Sequence, residues 1–288
     1  EGWLHKGLSL LMENPEALFD EHSADYLGVG RNMARSIRHW LATTGLAERQ
    51  SKGKVTRLIP SNLGELVYHR DPYFSESGTW WVLHANMVCS PTHAYTWSWF
   101  FNNFNLGRFE RAVVLESLLR HLHLSESRMP SQKTLERDVA CLLASYSRST
   151  PPNADDPEDA GECPFVELGM MNYFRTSGYF QLHQGPKEIH HTIFGYVVAL
   201  THESTSESSI DISIQKAARE PNGPGQVFVL SSESLFETVL RMEATAPQED
   251  FLITGHAGDR VIRIKNRKPI DWLTEYYSLM DRRDRDAA

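Results

Sequence analysis

Apolar residues recur at helical spacing along the opening segment of the chain. Trp3 to Met12 reads as a short amphipathic helix, which Asn14-Pro15 interrupts. Ser23 can cap a second short helix through Leu27, Gly28-Val29-Gly30 supplies a tight turn, and residues 31–44 read as a third helix ended by Gly45. At 3.6 residues per turn, Met33, Ile37, Trp40 and Leu41 share an arc of roughly 100°, the width of a core stripe. Arg31, Arg35 and Arg38 lie within roughly 60° of one another on the opposite side. Helix, glycine turn and a helix with an arginine face form a helix-turn-helix pattern. Residues 46–49 and 55–58 then pair as a hairpin across the polar stretch 50–54, placing a basic wing beside the arginine helix.

The same register returns later in the chain. Between Gln132 and Tyr146, Leu135, Val139, Leu142 and Leu143 stand at a constant offset of 102 from Met33, Ile37, Trp40 and Leu41. Lys133 and Arg137 take the places of Arg31 and Arg35. The second copy closes at Gly169-Met170, an offset of 124 from Gly45-Leu46, so it carries 22 extra residues. Tyr173 to Arg175 and Tyr179 to Leu182 flank Thr176-Ser177-Gly178 as its hairpin. A third version has a helix over Ser234 to Met242 and strands at Asp250 to Thr254 and Arg260 to Ile264. An ordinary hairpin packed on a helix accounts for that last segment equally well.

Trp80, Trp81, Trp97, Trp99, Phe100, Phe101 and Phe104 crowd residues 79–87 and 95–104 at helical spacing. Such a stripe reads as core rather than a base-stacking platform. The expected fold is therefore mainly α with small β-hairpins, an α+β chain of tandem winged helix-turn-helix modules around an aromatic-rich helical hairpin. Expected divisions are an N-terminal module over 1–76, the helical hairpin plus the second module over 77–188, and a C-terminal helical and hairpin region over 189–288.

Composition narrows this picture. The chain has 288 residues, of which 41% are apolar, ample for a packed core. No run of 18 apolar residues is present, so a membrane-spanning helix is not expected, and nothing resembles a signal peptide. Opening on Glu1, the sequence is expected to lack some N-terminal residues. Cys89, Cys141 and Cys163 are too scattered for a disulfide framework or a zinc knuckle, which fits a reducing cytosol.

The net charge of -8 argues against a uniformly basic nucleic-acid binder. The charge is segregated, however. From Gly28 to Arg57 the basic residues Arg31, Arg35, Arg38, Arg49, Lys52, Lys54 and Arg57 face a single acid, Glu48, a local balance of +6. Pro151 to Glu167 holds six acids and no base among four prolines, the composition of an exposed loop. Arg260, Arg263, Lys265, Arg267 and Lys268 form a second basic cluster. Arg31, Asn32, Arg35, Ser36, Arg38 and His39 are the candidates for groove contact, and Lys52, Lys54 and Arg57 for phosphates, with Lys133 and Arg137 as the second copy's counterparts. A solvated face, a protein-contact module or a scaffold accounts for the same pattern without DNA.

Several strings carry a family resemblance. Gly2-Trp3-Leu4-His5-Lys6-Gly7 and Leu27-Gly28-Val29-Gly30-Arg31-Asn32-Met33, with Ile37-Arg38-His39-Trp40, resemble the start of the SspB-type proteins of bacterial DNA phosphorothioation operons. Gly78 to His84, Thr96-Trp97, Phe100 to Phe104, Arg137-Asp138-Val139, Pro164 to Gly169 and Gly185-Pro186-Lys187 extend the resemblance to about residue 200. The resemblance implies duplex DNA as partner, an antiphage role, and work beside a cysteine desulfurase, an ATPase and a sulfur-inserting ATP pyrophosphatase. It also implies a DNA-nicking activity. Nicking a phosphodiester needs a metal such as Mg2+ or Mn2+ held by carboxylates, or a histidine base. No compact carboxylate or zinc-ligand motif is present, which leaves Asp138 and His84 as the candidate catalytic residues and the acidic stretch from Asp155 to Glu162 as a metal or merely solvated loop. The plainer roles are a helix-surface ion pair for Asp138 and an interior hydrogen bond for His84. A non-catalytic docking subunit and a transcription regulator are the alternatives, and for the regulator two winged modules in one chain, or a homodimer, would favour pseudo-palindromic sites.

Overall fold

The computed structural model describes residues 2–52, 55–125, 130–150, 163–202, 207–256 and 259–287. The N-terminal third comprises α1 (Gly2–Glu13), a 3-10 turn (Ala17–Phe19), α2 (Ser23–Leu27), α3 (Arg31–Thr43), β1 (Ala47–Lys52), β2 (Val55–Pro60) and α4 (Asn62–Arg70). The middle third continues with α5 (Ser77–Cys89), α6 (Tyr95–Asn103), β3 (Arg108–Phe109), α7 (Arg111–Leu124), α8 (Gln132–Tyr146) and β4 (Ser147–Thr150). A second 3-10 turn (Pro164–Leu168), β5 (Met171–Phe174) and β6 (Tyr179–Leu182) complete it. The rest is α9 (His191–Thr201), β7 (Ser209–Ser213), α10 (Ile214–Arg219), α11 (Pro224–Val227), α12 (Ser232–Glu243), β8 (Phe251–His256), β9 (Asp259–Lys265) and α13 (Pro269–Ala287).

The opening elements follow the expected order. Gly28 caps α2 in the left-handed region, where a side chain would be strained, and its N–H returns to the Asp25 carbonyl. α1 packs directly on α3 because Gly7 has no side chain: a Cβ there would stand 2.3 Å from Ile37 Cγ2. β1 and β2 pair antiparallel from Ala47 opposite Pro60 to Lys52 opposite Val55. The strands thus run through Gln50, Ser51 and Lys52, which the polar pattern assigns to the loop. Ser61 then caps α4, its hydroxyl donating to the Gly45 carbonyl and accepting from Gly64 N–H.

The core stripe of α3 differs from the expected one. Ala34, Ile37 and Leu41 are buried, whereas Met33 is 45% exposed and Trp40 half-buried. The close approach permitted at Gly7 turns the helix so that Ile37 faces α1, and Met33 is carried out into solvent.

The second copy keeps its helix but not its simple hairpin. β5 and β6 pair antiparallel as expected, yet they are the centre of a four-stranded sheet ordered β3-β6-β5-β4, in which β4 runs parallel to β5. Parallel pairing needs a long connection, and Thr150 and Met171 stand far enough apart in sequence for one. α7, not marked by the periodicity, packs on α8 and α6 and buries Val114, Leu118 and Leu122. At the C-terminus β7 joins β9 and β8 in a three-stranded sheet, one strand more than the expected pair.

The aromatic-rich pair α5 and α6 lies at the centre. Residues 78–85 of α5 are all buried, as are residues 191–198 of α9. One connected cluster of buried side chains runs from Leu4 to Tyr277, crossing positions 76 and 188. α13 returns to the N-terminal third, where Arg70 pairs with Asp281 at 2.8 Å. The fold is mixed α+β, mainly helical with small sheets. Among the described residues no helix is long and apolar enough to cross a membrane.

α13 seats Trp272 against Gly195 of α9, where an added Cβ would meet the indole at 2.6 Å. Gly195→Ala is therefore expected to destabilise the protein by about 1 to 3 kcal/mol through overpacking, despite alanine's better helix propensity. A urea midpoint equal to or above that of the unsubstituted protein would overturn the close contact as a constraint.

Candidate nucleic-acid interface

α3 presents a row of polar side chains to solvent. Arg31, Asn32, Arg35, Ser36 and His39 are exposed, opposite the buried Ala34, Ile37 and Leu41. Among the described residues neither Arg31 nor Arg35 has an ion pair or hydrogen-bond partner. Ser36 donates to the Asn32 carbonyl at 3.1 Å, and His39 Nε2 lies 3.4 Å from the Thr43 hydroxyl. Partial desolvation of the ring and the cation of Arg49 both hold His39 below the usual histidine range.

Arg38 departs from the expected face. Its guanidinium donates to the Leu18 carbonyl at 2.5 Å and sits 5.5 Å from the centre of the Phe19 ring. It ties α3 to the 3-10 turn, so it is a structural anchor rather than a groove contact. The rotation that exposes Met33 carries Arg38 to this edge.

In the hairpin, Arg57 pairs with Glu16 at 2.5 Å, both side chains remaining exposed. Such a surface pair is worth less than about 1 kcal/mol and is readily exchanged for another anion. Lys52 closes β1, and Lys54 lies outside the described residues. Arg49 on β1 is exposed, without a partner among the described residues, and close enough to His39 to lower its basicity. Its charge is visible in the local basic count, but only the fold brings β1 beside α3 and so makes it part of this face.

On α8, Lys133 and Arg137 are exposed and line a cleft of about 420 Å3 together with Arg111 and Glu136. Arg111 opens α7, which the periodicity does not mark. Trp40 and Thr44 of the α3 end and Cys141 and Ser145 of α8 line one cavity of about 240 Å3 with Trp3, Trp80 and Phe165. The two helices thus meet around aromatic rings.

The candidate catalytic residues separate. Asp138 is half-buried on α8, with its carboxyl pushed up by desolvation and no ion pair among the described residues. The helix-surface ion pair expected as its ordinary role is not formed there. His84 is fully buried on α5. Its Nε2–H donates to the Val227 carbonyl at 2.8 Å, so Nδ1 accepts the Tyr146 hydroxyl, also at 2.8 Å. Burial pulls its pKa down to about 4. It reaches neither solvent nor a bound strand, and the catalytic reading of His84 gives way to a core hydrogen-bond bridge.

Four of the five residues of the second basic cluster are engaged internally. Arg263 forms a two-pronged pair with Asp211 at 2.7 and 2.8 Å, and Arg260 stacks 3.8 Å from the Phe236 ring centre. Lys265 and Arg267 converge on the buried Asp250 at 3.2 and 2.6 Å, and Arg267 also binds Glu275. No acid stands between these five cations in the sequence, and the carboxylates that meet Arg263, Lys265 and Arg267 lie outside the run.

A metal site was expected to need clustered carboxylates. Among the described residues no three His, Cys, Asp or Glu side chains come together. The acidic stretch from Asp155 to Glu162 lies outside the described residues.

The neutral His84 carries a pH dependence. The unfolded chain takes up this proton near 6.5 and the folded one near 4, so acid favours unfolding. The stability contributed by the neutral imidazole is full above pH 6.5 and is lost as pH falls toward 4. Urea unfolding at pH 7 and pH 5 should show a marked drop that His84→Gln reduces, and an unchanged slope would refute the bridge.

A family model described as "Protein of unknown function (DUF4007)" matches residues 1–277. No curated protein matches the chain. Among solved structures, a magnesium ion-bound SspB crystal structure is similar with a TM-score of 0.81 and 24% identity, covering 96% of this chain and 84% of that one. An SspB crystal structure is similar at a TM-score of 0.79 and 24% identity, with the same coverage. The shared feature at this identity is the fold, in line with the resemblance carried by the sequence strings.

Proposed function

This chain belongs to the DUF4007 family, and from that premise we propose that it is a duplex-DNA-docking protein of a bacterial phosphorothioation system. The observation that supports this reading is the uncompensated row of Arg31, Arg35 and Arg49 on α3 and β1 in a chain of net charge -8. An unpaired guanidinium on an exposed helix is ready for phosphate or guanine, whereas a paired one must first break its own contact.

In this reading α3 enters the major groove, Asn32 and His39 meet base edges, and Arg31 and Arg35 meet guanine or phosphate. The hairpin lies along the backbone as a wing, and Arg57 exchanges Glu16 for a phosphate. The cleft of Arg111, Lys133 and Arg137 takes a second stretch of backbone. Phosphate contacts made this way release counterions, so binding weakens steeply with salt. The partners are those that the SspB resemblance implies: a cysteine desulfurase, an ATPase and a sulfur-inserting ATP pyrophosphatase.

A second reading, a metal-dependent nick in one strand, is favoured by the fold neighbour described as magnesium ion-bound. Mg2+ is ordinarily held by one or two carboxylates together with substrate phosphates. The described residues offer the lone half-buried Asp138 near the arginine-bearing face of α8 and no preformed donor set. They do not fit a protein-held metal, and no catalytic step is assigned to them.

Two experiments separate these readings. Arg31→Ala with Arg35→Ala is expected to weaken duplex binding by about 1 to 3 kcal/mol for each base-specific interaction removed, and to reduce the salt slope by about 1 for each phosphate left unneutralised. Unchanged affinity at moderate salt would remove α3 from the interface. Supercoiled plasmid incubated with the protein and Mg2+ or Mn2+ should yield open circles that EDTA suppresses if the protein nicks. Intact plasmid together with tight binding leaves docking as the function.

A further inference from the structure

A second positively biased cavity lies on elements that the DNA-docking reading does not use. α9, α12 and α13, with the start of α5, enclose about 430 Å3, a size that suits a small ligand. Lys187, Arg241 and Arg283 line it together with His190 and His191, against the single carboxylate Glu188. We propose that this cavity is an oxyanion site that takes a phosphoryl group.

Lys187 is 9% exposed, and its ammonium donates to the carbonyls of His183, Val229 and Gly185 at 2.7, 3.1 and 3.4 Å. All of those partners are neutral, so its charge is buried without an anion to balance it, a costly arrangement unless a ligand supplies one. The N-terminus of the eleven-residue α9 opens at the cavity and adds the positive end of its dipole. His191 is 6% exposed, and its Nε2 has no hydrogen-bond partner among the described residues.

The basicity of the group is depressed as well. Burial pulls Lys187 down to about 8 and His190 to about 4, with His191 and Arg283 adding to the effect on His190. Near pH 7 Lys187 therefore keeps most of its charge in a poorly solvated place, and His190 is neutral. An oxyanion supplies the balancing charge, and its oxygens accept from His191 Nε2 and the two guanidinium groups. Arg241 has a carboxylate of its own, Glu237 one turn away, but that pair is exposed and lets the guanidinium share a ligand. Ile189, Met242 and Met280 give the cavity an apolar side against which the rest of a phosphate ester can lie.

The proposal does not depend on duplex docking, because no lining residue belongs to α3, β1, β2 or α8. Its test uses the whole protein, with pyrophosphate as probe and sodium chloride at matched ionic strength as control. Thermal unfolding should move upward with millimolar pyrophosphate beyond the chloride control, and calorimetry should give a saturable heat. Arg241→Gln with Arg283→Gln, both on exposed side chains, should weaken that binding at least about tenfold. Arg31→Ala with Arg35→Ala should leave it unchanged.

A nucleoside monophosphate and a short single-stranded oligonucleotide distinguish the two sources of such a group. Competition by the monophosphate alone assigns a soluble phosphate ester, and competition by both assigns a strand end or backbone. Absence of any pyrophosphate effect beyond chloride, or wild-type binding by the Arg241 and Arg283 double variant, overturns the proposal.

Discussion

The burial of α5 on every side is the constraint on which the remaining architecture rests. A helix without a solvent face must have each polar side chain answered by the elements around it, because an unanswered donor or acceptor there costs about 1 to 3 kcal/mol. His84 is answered by α8 through the Tyr146 hydroxyl and by α11 through the Val227 carbonyl. Thr79 is answered twice: it donates to the buried Asp71 at 2.6 Å and accepts from the Tyr277 hydroxyl of α13 at 2.7 Å. Asp71 in turn receives the N–H groups of Ser75 and Glu76 at the helix entrance. Four separate parts of the chain are thereby fixed to one central rod.

That frame governs what the surface can do. α3 and α8 each end against the same aromatic cavity, so the polar faces they carry are held by rigid packing rather than by loops. Trp40 meets Trp97 of α6 edge-on at 5.6 Å, which couples the exposed arginine helix to the aromatic centre. A surface built in this way loses little entropy on engaging a partner, because its backbone is already ordered.

Charge is distributed according to the same logic. The cations near the C-terminus are spent on holding β7, β8, β9 and α13 together through Asp211, Asp250 and Glu275. Arg31 and Arg35 on α3, Arg49 on β1 and Lys133 and Arg137 on α8 are left facing water, and Lys187 is buried beside a cavity with only carbonyl partners. An acidic chain can therefore present two distinct positive surfaces, and the net charge of -8 describes neither. The C-terminal run and the cluster over α3 and β1 look alike in sequence and differ in where their carboxylates fall, whereas the group around Lys187 is assembled only by the fold.

The amino-acid order by itself determined the local elements whose signals are short in range. Gly28 set the turn before α3, Asn32 and Arg35 fell on its polar side, and the aromatic spacing of 79–104 marked a buried helical pair. These follow from steric limits on φ and from the 3.6-residue period, which involve only near neighbours. Tertiary structure decided the rest. The rotation of α3 that withdrew Arg38 depends on its contact with Gly7, and the loss of His84 from the catalytic candidates depends on Tyr146 and Val227, far along the chain. α7 escapes the periodicity because its buried positions, Val114, Leu118 and Leu122, make a weak stripe among other apolar residues. The parallel strand β4 and the cavity around Lys187 bring together segments with no shared local pattern. Whether a charged side chain is free or spent is settled by partners remote in sequence, and periodicity carries no record of them.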